Sequence, residues 1–233
     1  MGENMPRTTT RRRRTPNPAT PAGERVLAVA AELFYAHGIR AIGVDRIADE
    51  AGVTKKTLYD RFGSKDALVA AYLGRREEVW QKHLHARLAA SGTSGAERLL
   101  LVLGIASDWA DKNERGCAFV NAHAEIGGTD HPGNAVIRAD KEYMLRLFVD
   151  LAREALSGER PGSAGPGDAG PGGAGRGECD AGAGRPDDGG PDPETIGRQI
   201  HLLYEGALTA HTTGVQPNAF ATARSAAAAL LAR

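Results

Sequence analysis

Apolar residues recur at helical spacing along most of this chain. After Thr20 and Pro21, a cap and first-turn pair, Val26, Val29, Ala30, Leu33 and Phe34 share one face, and Gly38 closes the stretch. A short second helix runs from Val44 to Ala51. Gly52 breaks it, and Thr54 caps a third helix reaching about Arg61. Ser64 opens a long fourth helix with Asp66 in its first turn and an apolar stripe of Leu68, Val69, Tyr72, Leu73, Trp80, Leu84 and Leu88. Ser94 and Glu97 have capping-box spacing ahead of an apolar helix through Trp109. A polar loop, Asp111 to Gly116, precedes helices over Cys117 to Ile126 and roughly Asn134 to Leu156. Asp192-Pro193-Glu194 starts another, carrying Ile196, Ile200, Leu203, Tyr204, Ala207, Leu208 and His211 up to Gly214. Gln216-Pro217 leads into a final Ala-rich helix with Phe220, Ala223, Ala227, Leu230 and Leu231. No segment reads as a strand, so the expected fold class is all-α.

Two segments break the pattern. Residues 1–20 are rich in Arg, Thr and Pro and read as a disordered basic arm. Residues 158–191 are mostly Gly, Pro, Ala and Asp, too poor in apolar surface to offset the entropy of ordering, and read as a flexible insertion. The chain therefore divides into the arm, a helical domain at 21–66, a second helical domain at 67–157, the insertion, and C-terminal helices at 192–233. Inside the insertion, Gly165 to Gly170 and Gly170 to Gly175 match G-x-G-x-x-G, but neither follows a strand or opens a helix, as a nucleotide site requires.

The formal charge of the 233 residues is zero, yet it is unevenly spread. Residues 1–25 hold six Arg against two Glu, and residues 158–193 hold seven acidic residues against three Arg. A basic arm of this kind is suited to contact with phosphates. No apolar run is long enough to cross a bilayer. Arg11 to Arg14 is followed by Thr15-Pro16-Asn17-Pro18 rather than an apolar stretch, so it does not read as an export signal. Cys117 and Cys179 form neither a disulfide framework nor a zinc spacing, and the expected compartment is the reducing cytoplasm, at the nucleoid.

The sharpest chemical signal lies between Val44 and Phe62. Ala48 is small where two helices cross, Gly52 suits the positive φ of a turn, and Val53 and Leu58 pack the second helix. The third helix has few apolar residues. Its lysines and hydroxyls suit phosphates and base edges, and a short helix fits a major groove ~12 Å wide. Lys65, opening the fourth helix, has the helix dipole beside it.

The stretch from Ile42-Gly43-Val44-Asp45-Arg46-Ile47-Ala48 through Val53-Thr54-Lys55-Lys56-Thr57-Leu58-Tyr59-Asp60-Arg61-Phe62-Gly63-Ser64-Lys65-Asp66-Ala67-Leu68 resembles the tetracycline-repressor (TetR) family over residues 22–75. The resemblance implies an all-helical homodimer, with a helix-turn-helix DNA-binding domain at 21–66, a helical domain for a small-molecule effector at 67–157 and dimerisation helices at 192–233. It implies operator contacts by Val44, Thr54, Lys55, Lys56, Thr57, Tyr59, Asp60 and Lys65. Gly43 stands where many members place Ser or Thr to cap the second helix. Arg115 to Ala122 also resembles one branch of the family.

Trp109, Phe119, His123, Tyr143 and Phe148 lie on helices that would line the family's effector pocket, though residues at such spacing also serve as plain core. His123, Glu125 and His131 fit no structural zinc pattern, and no metal or cofactor is expected. Cys117 beside Arg115 is a weak candidate for oxidant sensing. No nucleophile–base pair or phosphate loop in context supports an enzyme. The expectation is a regulator of transcription that binds a palindromic operator in double-stranded DNA. It would be a repressor released by an unidentified effector, dimerised through its last two helices with Leu208 and Phe220 at the interface. The alternative is a helical ligand- or protein-binding module that does not read DNA.

Overall fold

The computed structural model describes residues 15–157 and 192–232. Arg11 to Arg14, the 158–191 insertion and Cys179 lie outside the described residues. Among the described residues the regular elements are all helices: α1 (Pro21–His37), α2 (Val44–Glu50), α3 (Lys55–Phe62), α4 (Lys65–Ser91), α5 (Gly95–Ala110), α6 (Ala118–Ile126), α7 (Gly133–Ser157), α8 (Pro193–Thr212) and α9 (Ala219–Leu231). The all-α fold and the order of helices follow the expected pattern.

The helix starts are local chemistry. Thr20 Oγ1 accepts from the Gly23 amide at 3.1 Å, Thr54 Oγ1 from Thr57 at 3.1 Å, and Ser64 Oγ from Ala67 at 3.0 Å. Asp192 accepts from the amides of Glu194 and Thr195 and from the Thr195 hydroxyl, and these bonds hold its carboxyl below the usual range. Ser94 departs from its expected capping box: its side chain makes no cap bond. The Glu154 carboxylate on α7 accepts from the Gly95 amide instead, at 3.0 Å, so a distant residue satisfies this helix end.

The chain forms two compact units. The first comprises the described residues up to Glu77 together with 118–137; the second comprises 78–117 with the described residues from 138 onward. Within the first, α1, α2 and α3 pack on the start of α4, with Val26, Phe34, Ile42, Ile47, Leu58 and Leu68 buried and the Phe34 and Tyr72 rings 5.8 Å apart. Within the second, α5, α8 and α9 join parts of α4 and α7 around Leu84, Leu99, Leu103, Phe148 and Ile200. A Cβ on Gly197 would lie 2.5 Å from the Val149 Cα, so α8 can approach α7 this closely only through glycine.

Leu208 and Phe220 correct the expected dimer face. They are 9% and 4% exposed within the chain and belong to the core of the second unit. Their apolar character belongs to faces of α8 and α9 that pack inside the chain.

That core also encloses charge. Lys141 Nζ on α7 donates to both carboxylate oxygens of Glu205 on α8, at 2.9 and 3.1 Å, and lies 4.0 Å from the carboxylate of the buried Asp140. Burial alone would lower the Lys141 pKa, but the Cys117 sulfur, Glu205 and Asp140 outweigh it and raise it above 10.5.

His201 behaves oppositely. Burial pushes its pKa below 6.5; Glu205 opposes the shift and Lys141 reinforces it. The unfolded chain therefore takes up this proton first. Stability is expected to fall as pH drops through 6.5 toward the lower folded value. Urea unfolding between pH 7.5 and 5 is the check, and His201→Gln should flatten that part of the profile.

Candidate nucleic-acid interface

The α2–turn–α3 segment is shaped by a few residues. Ala48, 2% exposed, lets α2 pack closely, and its carbonyl accepts from the Val53 amide at 3.0 Å across the turn. Gly52 takes φ +62°, a conformation costly for other residues. Leu58 and Phe62 face inward at 0% and 6% exposure and anchor α3. Lys55, Lys56, Tyr59 and Asp60 then face outward. Tyr59 adds an aromatic ring, 40% exposed, to this polar face. Thr57 is half-buried, with its hydroxyl 2.9 Å from that of Thr54. Val44 begins α2 and is half-buried.

The charges on this face are paired. Lys55 Nζ lies 2.8 Å from Asp45 Oδ1 on α2, which holds its pKa above 10.5. Lys56 Nζ lies 2.6 Å from Asp60 Oδ2, one turn along α3. Arg46 and Glu50 make a third pair at 2.8 Å.

Lys65 is engaged differently from the others. Its ammonium donates to the Ile39 carbonyl at 2.7 Å and sits 5.9 Å from the centre of the Phe34 ring. Burial lowers its pKa, against Asp66 and Glu125. The α1–α2 turn it supports is clamped from α6: Glu125 Oε1 accepts from the Ile39 amide at 2.9 Å and Oε2 from the Arg40 amide at 2.7 Å. Gly38, at φ +92°, leaves the space; a Cβ there would meet Glu125 Oε1 at 3.0 Å. Glu125→Ala is expected to lower stability by about 1–3 kcal/mol, since the Ile39 amide would lose its acceptor in a 5% exposed residue. Thermal unfolding measures this.

Sequence reasoning missed Glu125 and Asp45 as organisers of this unit. The Lys56–Asp60 pair had a signal, the i,i+4 spacing of opposite charges on one helix.

The expected effector residues are divided between the units: Phe119 and His123 belong to the first, Trp109, Tyr143 and Phe148 to the second. Phe119 and Phe148 are 5% and 0% exposed. Phe148 packs on the His201 and Tyr204 rings. His123 is exposed. Trp109 is half-buried, its ring 5.4 Å from Trp80 and 5.2 Å from His83. Tyr143 bonds His85 through its hydroxyl. The cation beside Cys117 is Lys141, with Nζ 3.7 Å from Sγ. Glu125 and His131 are committed within their own unit, for His131 Nδ1 accepts from the Gly133 amide at 2.9 Å and Nε2 lies 3.5 Å from Asp66.

Residues 26–72 match the family model described as bacterial regulatory proteins, tetR family. The chain is similar to the HTH-type transcriptional activator FasR of Mycolicibacterium smegmatis, 32% identical over 96 residues, or 41% of this chain and 43% of that protein. It is also similar to the uncharacterized HTH-type transcriptional regulator Rv1255c of Mycobacterium tuberculosis, 31% identical over 119 residues, or 51% and 58% of the two chains. These alignments span about half the length of the curated relatives. Among solved structures, SCO4454, a TetR-family transcriptional regulator from Streptomyces coelicolor, superposes with a TM-score of 0.70 at 26% identity, over 90% of this chain and 94% of that one. A tetR-type regulator of Streptomyces avermitilis gives 0.63 at 26% identity, over 89% and 98%.

Proposed function

We propose, on the premise that residues 26–72 belong to the tetR family of bacterial regulatory proteins, that the chain is a sequence-specific DNA-binding regulator of transcription rather than an enzyme. The observation that carries this reading is α3, anchored by Leu58 and Phe62 with Lys55, Lys56 and Tyr59 outward. Two such helices in a homodimer would enter successive major grooves ~34–36 Å apart, so the operator is palindromic. Asp60 shares the reading surface, and Val44, Thr54 and Thr57 flank it. Lys65 gives one N–H to the Ile39 carbonyl and keeps two further N–H groups that would donate to a phosphate. The chain is read as a repressor acting in the cytoplasm, and a small-molecule effector that favours another helix spacing would release the DNA by shifting populations. A mobility shift and footprint on duplex DNA upstream of its own gene test the reading. A protected palindrome is expected, and equal binding to a random duplex of the same length would overturn it.

Dimerisation is assigned to the outward faces of α8 and α9. Leu202 is 70% exposed, and Gly206 and Thr209 follow on the same side of α8, opposite the buried Ile200 and Tyr204. Leu202→Glu is expected to give monomers in sedimentation with an unchanged helical spectrum, because an unpaired charge resists burial in an apolar interface. A dimer of unchanged mass would place the interface elsewhere.

A further inference from the structure

We infer that the Lys56–Asp60 ion pair acts as one reading unit for a G·C base pair, with Asp60 the residue that sets specificity. The inference rests on the DNA-binding reading above and goes beyond it by naming what α3 selects.

The segment from Val44 to Phe62 carries four basic and four acidic side chains, so its formal charge is zero. Of its four cations, Lys55, Arg46 and Lys56 sit on carboxylates at 2.8, 2.8 and 2.6 Å, and Arg61 is half-buried. A surface built for sequence-independent attraction to phosphate would instead show an excess of uncompensated cations. Here each lysine of α3 approaches DNA with a carboxylate attached, and that carboxylate is repelled by the backbone.

The two pairs differ in what they can reach. Asp45 ties Lys55 sideways to α2. Lys56 and Asp60 stand one turn apart on the exposed face of α3 itself, 69% and 55% exposed, with Tyr59 beside them. Exposed pairs of this kind contribute little to stability and open readily, so α3 does not need this one to fold. Set edge-on to the major groove, an ammonium beside a carboxylate presents a donor next to an acceptor. A G·C pair presents the complement there: the guanine O6 and N7 accept, and the cytosine N4 amino group donates. Lys56 would donate to the guanine edge while Asp60 accepts from the cytosine. An A·T pair places the adenine N6 amino group between its two acceptors, adenine N7 and thymine O4, so Lys56 finds no adjacent pair of acceptors there and Asp60 no amino group beyond them. At a phosphate, Asp60 is repelled. The carboxylate thus withholds Lys56 from generic contacts and rewards one base pair.

The test is selection from a randomised duplex pool by the full-length protein, followed by salt titration of binding to a random-sequence duplex. Wild type is expected to enrich a palindrome with an invariant G·C pair in each half-site. Asp60→Asn should lose the preference at that position alone, bind the random duplex several-fold more tightly at low salt, and steepen the log–log salt slope by ~0.9, one added phosphate contact. Lys56→Gln should move the preference toward A·T, the pair that an amide side chain reads. Melting temperatures of both variants, expected to stay near wild type, confirm folding. A palindrome enriched by wild type and left unchanged by both variants would overturn this inference while leaving the regulator reading intact. Enrichment of no sequence by wild type would overturn both. An altered melting temperature with unchanged consensus and slope would make the pair a structural brace of α3 and also overturn it.

Discussion

Leu58→Ala is expected to destabilise the first unit by about 2–5 kcal/mol, the range for truncating a buried leucine. Tyr59→Ala, one residue along, is expected to leave the melting temperature almost unchanged. Leu58 is 0% exposed and packs among the helices of its unit, whereas Tyr59, turned by about 100° around α3, is 40% exposed. The same helix thus carries two separable effects. Tyr59→Ala and Lys56→Ala should each weaken operator binding by about 1–3 kcal/mol, the usual cost of a lost base contact. Melting temperature and operator affinity measured on each variant check the pair of outcomes. Operator binding by Tyr59→Ala that matches wild type would remove α3 as the reading helix.

This contrast was legible in the sequence because it depends on local periodicity. Leu58 and Phe62 are one turn apart, and the residues between them are polar, so both the inward face of α3 and its outward residues follow from helical spacing alone. The caps at Thr20, Thr54 and Asp192 were legible for the same reason: donor and acceptor lie two or three residues apart. What the sequence hid depends on the tertiary fold. Glu125 holds amides 85 and 86 residues away, and nothing near it in the chain marks it as a cap. Lys65 has the composition of a phosphate contact, yet its ammonium finds a backbone carbonyl 26 residues back. Leu208 and Phe220 show how an apolar face names no partner. Spacing put them on apolar stripes, but only packing shows that those stripes face the core and leave Leu202 outside.

The least legible feature carries the other large effect. Lys141→Met is expected to cost about 3 kcal/mol, near the low end for breaking a buried pair, because both Lys141 and Glu205 are a quarter exposed. The loss comes less from the missing attraction than from what stays behind, the Glu205 carboxylate without the ammonium that donates to both its oxygens. A methionine fills similar volume, so little of the effect should come from a cavity. In the wild type the raised Lys141 pKa means that this contribution is fully present below pH 10.5 and is lost only as pH climbs through the higher folded value, so it adds no slope near neutrality. The second variant separates charge from packing. Lys141→Met with Glu205→Leu should recover much of the loss, because an apolar pair of similar volume replaces a buried ion pair at little cost. Urea denaturation of the two single variants and the double variant supplies the coupling energy. If Lys141→Met alone unfolds at the wild-type midpoint, the Lys141–Glu205 pair is a surface contact that solvent already satisfies.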